Sequence, residues 1–124
     1  MSSQPVVVID DDPVTVQIIA DALHQQGNID VYSFTRSKLA REFLLKQSDA
    51  SVALIISDQC MPDYDGISLL TLWRKKGMLT PFLLLTADAT RQTVIKARQQ
   101  GVTQFIAKPF KTTELISKVR YLLN

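Results

Sequence analysis

The fold is decided first by the stretch VVVIDDDP at residues 6–13, where four branched apolar residues lead straight into three acids and a proline. A run that is apolar at every position is typical of a strand covered on both faces, and a proline is typical of the first position of a helix. Asp12, directly before Pro13, then has the place of a helix N-cap. Asp10 and Asp11 have no such structural role, and both stand at the carboxyl end of the predicted strand.

Five times along the chain, an apolar run is followed by a stretch in which apolar residues recur with the 3.6-residue period of a helix. Strict alternation of strands and helices predicts a parallel sheet with helices on both faces. The runs Ile29–Phe34 and Gln104–Ala107 are partly polar and are therefore predicted to be edge strands. This arrangement favours a flavodoxin-like, doubly wound α/β fold with strand order 2-1-3-4-5. The predicted strands are Val6–Ile9, Ile29–Phe34, Val52–Ser57, Phe82–Thr86 and Gln104–Ala107.

Length and composition indicate one globular domain over residues 1–124, since 124 residues with 46% hydrophobic content allow a single core. The apolar runs have the length of strands rather than membrane spans, and the first five residues are too short and polar for a signal peptide. Cys60 is the single cysteine, which excludes an internal disulfide. These features fit a cytoplasmic domain that binds no membrane.

Charge is distributed unevenly along the chain. Residues 1–90 hold 7 Lys/Arg against 11 Asp/Glu, a net −4, whereas residues 91–124 hold 7 Lys/Arg against Glu114 alone, a net +6. The overall charge of only +2 does not require nucleic acid as a partner. Charged residues usually lie on solvated helix faces, yet this basic segment also predicts an output surface formed by the fourth helix, fifth strand and fifth helix. The fourth helix, predicted at roughly Thr90–Gln100, has few apolar residues and is expected to pack lightly. The basic residues assigned to this surface are Arg91, Lys96, Arg98, Lys111, Lys118 and Arg120.

The sequence brings a third acid, Asp58, to the end of the third strand, beside Asp10 and Asp11 in this topology. Unit charges about 5 Å apart at an effective dielectric near 20 repel by roughly 3 kcal/mol per pair. Such a group needs a cation or raised pKa values. Oxygen ligands without a His or Cys cluster favour Mg²⁺ over zinc.

Three further motifs follow the remaining strands. The stretch DQCMPDYDG at residues 58–66 describes a tight loop that leads into a helix, and Thr86-Ala87-Asp88 ends the fourth strand. Lys108-Pro109-Phe110 follows the fifth strand, where the ammonium of Lys108 could pair with a phosphoryl oxygen. Each motif alone has an ordinary structural explanation, but together and in this order they form a specific signal.

These motifs resemble those of response-regulator receiver domains over essentially the whole chain. The resemblance implies that Asp58 forms an acyl phosphate and that Lys108 contacts the phosphoryl group. It implies that Asp10, Asp11, Asp58 and the backbone carbonyl of Cys60 hold Mg²⁺. It also implies a switch in which the hydroxyl of Thr86 moves to the phosphoryl group and Phe105 changes rotamer, although core packing would equally explain Phe105.

The resemblance carries three further expectations. The Lys108-Pro109 bond is expected to be cis, a state found in about one X–Pro bond in twenty. Cys60 and Asp88 stand at positions that are linked in the family to the lifetime of the phosphoryl group. The phosphoryl donor is expected to be the phosphohistidine of a sensor histidine kinase or a histidine phosphotransfer protein, and the domain to catalyse only its own phosphorylation and dephosphorylation.

Two alternatives remain at this point. A non-phosphorylated interaction module on the same fold would have little reason to retain every acid and the lysine. A haloacid-dehalogenase-type phosphatase would explain the start of the acidic stretch, but it needs a further acidic motif after Lys108, where only Glu114 follows. The output is expected to pass to an effector domain or protein rather than directly to nucleic acid. A phosphorylation-dependent homodimer stays open, as does whether the domain stands alone or is part of a longer protein.

Overall fold

The computed structural model describes residues 3–124, in which five strands alternate with five helices. All strand pairs are parallel, and the strands lie in the order β2-β1-β3-β4-β5 once numbered along the chain. The fold and strand order predicted from the sequence are therefore confirmed. The elements are β1 (Gln4–Ile9), α1 (Pro13–His24), β2 (Ile29–Phe34), α2 (Ser37–Leu45), β3 (Leu54–Asp58), α3 (Gly66–Lys75), β4 (Phe82–Thr86), α4 (Arg91–Gln99), β5 (Gln104–Ala107) and α5 (Thr112–Leu123).

The predicted bounds of two strands were wrong. β1 begins at Gln4 rather than Val6, because the register with β2 extends to the pair Gln4–Ile29. β3 runs from Leu54 to Asp58 rather than from Val52 to Ser57. Val52 is buried as expected, but its N–H donates to the carbonyl of Ser48 in the preceding turn. An apolar, buried residue was therefore assigned to β3 although it lies in the turn before the strand.

Alternation along the central strands divides the core into two layers. Val7 and Ile9 pack in the layer that receives buried side chains from α2, α3 and α4, whereas Val6 and Val8 pack in the layer that receives those of α1 and α5. Every residue of β3 and β4 is buried, while β2 and β5 are only partly covered. The predicted edge strands are thus the edges of the sheet.

α4 is the least buried of the helices. Ala97 is its one fully buried residue, which confirms that this helix packs lightly. The hydroxyl of Thr90 accepts a hydrogen bond from the Thr93 N–H at its first turn, so the predicted extent of roughly Thr90–Gln100 corresponds to Arg91–Gln99 with its two caps. A helix with so little buried apolar area can shift at modest cost in free energy.

Candidate functional site

The carboxyl end of β1 supplies two acids with different surroundings. Asp10 is buried; its Oδ1 accepts the Asp12 N–H at 2.9 Å and its Oδ2 accepts the Lys108 ammonium at 2.7 Å. Asp11 is exposed. Asp12 is the N-cap of α1, since Oδ1 accepts the Val14 N–H at 3.0 Å, with proline at the first helical position. The structural role predicted for Asp12 is confirmed.

Asp58 is the last residue of β3 and pairs with Leu85 of β4, rather than following the strand as predicted. Because β3 lies beside β1, its carboxylate reaches the same edge of the sheet as Asp10 and Asp11. One carboxylate oxygen from each of the three acids lies within 4.8 Å of the other two. The sequence prediction that these acids form one cluster is confirmed.

Lys108 brings the positive charge of the site. Its ammonium Nζ lies 2.7 Å from Asp10 Oδ2 and 3.1 Å from Asp58 Oδ1. Burial by itself would lower the pKa of Lys108, but the hydrogen bonds to Asp10 and Asp58 outweigh burial and raise it. The lysine is therefore charged at neutral pH. The Lys108-Pro109 bond is cis, as the resemblance predicted.

The pKa of Asp58 is raised above its ordinary value. Burial is the largest cause and the charge of Asp10 the second, and the hydrogen bond from Lys108 opposes both. One ammonium also faces three clustered carboxyl groups, so it cannot balance their charge when all three are ionised. The site has an excess of negative charge that a cation would relieve.

The donor set fits Mg²⁺. Asp10, Asp11 and Asp58 offer carboxylate oxygens, which are ligands that this hard cation prefers. Within residues 3–124, no hydrogen bond engages the carbonyl of Cys60, so its lone pairs are free. The thiol of Cys60 is exposed, and partial desolvation first and the charge of Asp58 second raise its pKa, so the thiol is protonated at neutral pH.

Thr86 ends β4 next to this cluster, one residue beyond the Asp58–Leu85 pair. It is buried, and its hydroxyl donates to the Asp88 carbonyl and accepts the Asp88 N–H, each at 2.9 Å. Phe105 on β5 is half-buried and packs against the core layer that includes Ala97 of α4. The two predicted switch residues therefore lie on neighbouring strands, Thr86 near the acids and Phe105 against the core layer to which α4 contributes Ala97.

Sequence analysis missed two side chains that hold the loop after Asp58. The hydroxyl of Ser37, a buried residue at the start of α2, donates to the Pro62 carbonyl at 2.6 Å and accepts the Tyr64 N–H at 3.0 Å. The side chain of Gln59 accepts the Ile67 N–H at 2.9 Å. Ser37 is 25 residues from Pro62 in sequence, and no local pattern identifies such a contact.

Comparison with known proteins settles the family. A family model described as "Response regulator receiver domain" matches residues 6–120. The chain belongs to this family. Its strand order, acidic cluster and lysine are those of a receiver domain of two-component signalling, which is a signalling phosphoacceptor rather than a true enzyme. The phosphatase alternative is therefore set aside, and family membership implies a histidine kinase as the class of partner.

Individual relatives agree with this receiver assignment. The transcriptional regulatory protein PmrA of Pectobacterium parmentieri is 31% identical over 118 residues, which cover 95% of this chain and 51% of that protein. The structure of the Francisella response regulator 1452 receiver domain is similar with a TM-score of 0.85 and 30% identity, over 98% of this chain and 97% of that one. The chemotaxis protein CheY4 of Vibrio cholerae has a TM-score of 0.88 at 23% identity over 98% of this chain and 100% of that one, a likeness of fold.

The receiver domain spans about half the length of several curated relatives that it matches, and a quarter of the DNA-binding transcriptional regulator NtrC of Azospirillum brasilense. Within residues 3–124, no helix has the length and apolar character required to cross a membrane.

One residue assigned to the predicted output face lies elsewhere. Arg120 was grouped with the basic residues around α4, but its guanidinium donates through Nε to the Gln26 side chain at 2.9 Å, beyond the end of α1. Spacing along α5 explains the error, because Arg120 follows Ile116 and Ser117 on the side that faces α1. The other basic residues of this region are Arg91, Lys96 and Arg98 on α4, Lys111 at the N-cap of α5 and Lys118 on α5.

Proposed function

We propose that this receiver domain accepts a phosphoryl group on Asp58, with Mg²⁺ held by Asp10, Asp11, Asp58 and the carbonyl of Cys60. The observation that carries the proposal is the placement of the Asp58 carboxylate, 3.1 Å from the Lys108 ammonium and within 4.8 Å of two further carboxylate oxygens. This combination offers a nucleophile, a cation site and a positive charge for a phosphoryl oxygen at one sheet edge.

In the proposed reaction a carboxylate oxygen of Asp58 attacks phosphorus in line, an oxygen–phosphorus bond forms, and the bond from phosphorus to the donor's histidine nitrogen breaks. Bound Mg²⁺ would neutralise negative charge on the carboxylates and the phosphoryl oxygens. Lys108 needs little movement to bond a phosphoryl oxygen, because its ammonium already contacts Asp58. Its other contact, with Asp10, keeps the ammonium at the site before the donor arrives.

The conformational step is proposed to begin at Thr86. Its hydroxyl donates to the Asp88 carbonyl, and we infer that it exchanges this bond for one to a phosphoryl oxygen. Phe105 would then adjust beneath α4, whose light packing lets the helix shift. The phosphoryl group can only favour a conformation that is already accessible, by the difference in its interaction free energy with the two states.

The phosphoryl donor is proposed to be a phosphohistidine on a sensor kinase or a histidine phosphotransfer protein, in the cytoplasm. The output is proposed to pass through the face of α4, β5 and α5 to an effector domain or protein, without direct nucleic-acid binding by this domain. Across α4, β5 and α5, Glu114 is the single acid among several basic residues. A two-fold dimer through this face would place like charges together, which favours an acidic partner over a second copy.

Intact-mass measurement tests the proposal. With acetyl phosphate and Mg²⁺, the mass is expected to rise by one phosphoryl group, and neither EDTA-treated protein nor the Asp58→Asn variant should gain it. The non-phosphorylated interaction module predicts no gain under any of these conditions. A gain that persists in Asp58→Asn would place the phosphoryl group on another residue.

A further inference from the structure

We propose that Gln59 is a positioning residue, which holds the loop of residues 59–65 so that the Cys60 carbonyl stays beside the acidic cluster. The inference rests on the proposed function of the site. Gln59 directly follows Asp58, and the loop joins β3 to α3. The Gln59 side chain is not proposed to contact Mg²⁺ or the phosphoryl group; it would act by holding the loop in place.

Gln59 forms hydrogen bonds to β4 at one end of the loop and to α3 at the other. Its N–H donates to the Leu85 carbonyl at 2.8 Å and thereby continues the pairing of β3 with β4. Its carbonyl accepts the Gly66 N–H at 3.0 Å, and its Oε1 accepts the Ile67 N–H at 2.9 Å. One residue next to the proposed nucleophile is therefore bonded to the first two N–H groups of α3.

The first three N–H groups of α3 all have hydrogen-bond acceptors, two of them on Gln59. The third N–H, that of Ser68, donates to Asp65 Oδ1 at 2.7 Å. The first N–H groups of a helix have no partner within the helix, so each of these bonds replaces one to water. The side chains of Gln59 and Asp65 together fix where α3 begins relative to the loop.

The position of α3 matters to Asp58 because the two touch. A Cβ atom added at Gly66 would lie only 2.5 Å from the Asp58 carbonyl oxygen. The first turn of α3 thus rests against the backbone of Asp58, and a shift of α3 would move the loop and the carboxylate together. Ser37 fixes the middle of the loop through Pro62 and Tyr64, and Met61 packs against the core on the far side of Cys60. On the β3 side of Cys60, the loop is held by the hydrogen bonds of Gln59.

A purely structural role is the alternative, in which Gln59 only caps α3. Thr71 provides the comparison, since it lies one turn further along α3. Its hydroxyl, which has one proton to donate, lies 2.8 Å from the Ile67 carbonyl oxygen and 3.0 Å from Gln100 Oε1. Thr71→Val removes hydrogen bonds of the same helix without altering the loop, and it should lower the free energy of unfolding without changing the metal site.

The test uses Gln59→Met, which keeps side-chain length and removes the acceptor. NMR titration of metal-free protein with Mg²⁺ should show binding that is roughly three- to ten-fold weaker than wild type, the range that one lost hydrogen bond represents. Labelling by acetyl phosphate should need correspondingly more Mg²⁺, while its maximal rate at saturating Mg²⁺ stays within about two-fold of wild type. The Ile67 amide resonance should shift in Gln59→Met and return towards its wild-type position in Gln59→Glu, which restores an acceptor.

Two results would overturn the positioning role: Mg²⁺ affinity in Gln59→Met equal to wild type, or an equal loss of affinity in Thr71→Val. In either case wild-type protein would still bind Mg²⁺ and become labelled, so the proposed function would stand. If wild-type protein neither binds Mg²⁺ nor becomes labelled, the proposed function fails and the positioning role fails with it.

Discussion

An ion pair joins Lys108 to Asp58, with 3.1 Å between the ammonium Nζ and the carboxylate Oδ1. The same ammonium contacts Asp10 at 2.7 Å, so one positive charge serves two of the three clustered carboxylates. The pKa of Asp58 is raised in spite of this lysine. Burial is the largest cause of that rise and the charge of Asp10 the second, so the site without metal should be sensitive both to pH and to cations.

Removing the charge of Asp11 should weaken Mg²⁺ binding and stabilise the metal-free fold. Asp11→Asn relieves repulsion with Asp10 and Asp58 and is expected to raise the free energy of unfolding in EDTA by ~0.3–1 kcal/mol, as for exposed charge pairs. Calorimetric Mg²⁺ titration and denaturant melts measure the two effects. Asp12→Asn is the matched control, because it removes a neighbouring charge outside the metal cluster and asparagine preserves the N-cap. Unchanged affinity and unchanged stability in Asp11→Asn would show that this acid is not part of the metal site.

The stability of the metal-free protein should depend on pH through Asp58. Because the folded pKa lies above the unfolded value near 3.8, the folded state binds the proton more tightly, so stability contributed by this group falls as pH rises from 3.8 through the folded pKa. Asp58→Asn removes that loss. The difference in unfolding free energy between Asp58→Asn and wild type in EDTA should therefore increase with pH across this window and then level off. A difference independent of pH would contradict the raised pKa.

The contact between Gly66 and Asp58 predicts a local effect on both stability and labelling. A Cβ at Gly66 would meet the Asp58 carbonyl oxygen at 2.5 Å and Leu84 Cδ1 at 2.6 Å. Gly66→Ala is expected to lower the free energy of unfolding by about 1–3 kcal/mol, as overpacking does, and to slow labelling. Gly77→Ala is the control: it forces an alanine to adopt φ +84° in open space far from the site, so it should destabilise without slowing labelling. Equal labelling rates in the two variants would show that the contact does not position Asp58.

How far the sequence predicts this structure depends on the range of the interactions. The strand order and the acidic cluster follow from apolar runs and from polar residues at the ends of strands, both of which are local patterns. The contact of Ser37 with Pro62 joins residues 25 apart, and Ser37 at the start of a helix would ordinarily be taken for a cap. Arg120 was misplaced because helix spacing, rather than charge, decides which face of α5 it occupies.

The switch should reach α4 through Thr86. Binding of beryllofluoride, a mimic of the phosphoryl group, should change backbone amide shifts in residues 90–124 as well as around Asp58. Phe105, on the strand beside that of Thr86, packs against the core layer that includes Ala97 of the lightly packed α4. In Thr86→Ala, the changes in residues 90–124 should be largely lost while those around Asp58 persist. Shifts confined to the loops around Asp58 in wild type would show that the site is not coupled to this face.

Locating the phosphoryl group tests the central claim most directly. After labelling with acetyl phosphate and Mg²⁺, borohydride reduces an aspartyl phosphate to homoserine, and peptide mass spectrometry then identifies the altered residue. Homoserine is expected at position 58 alone, in an amount proportional to the mass gained by the intact protein. Label on a serine, threonine or histidine with Asp58 unreduced, or reduction at Asp10 or Asp11 instead, would contradict it.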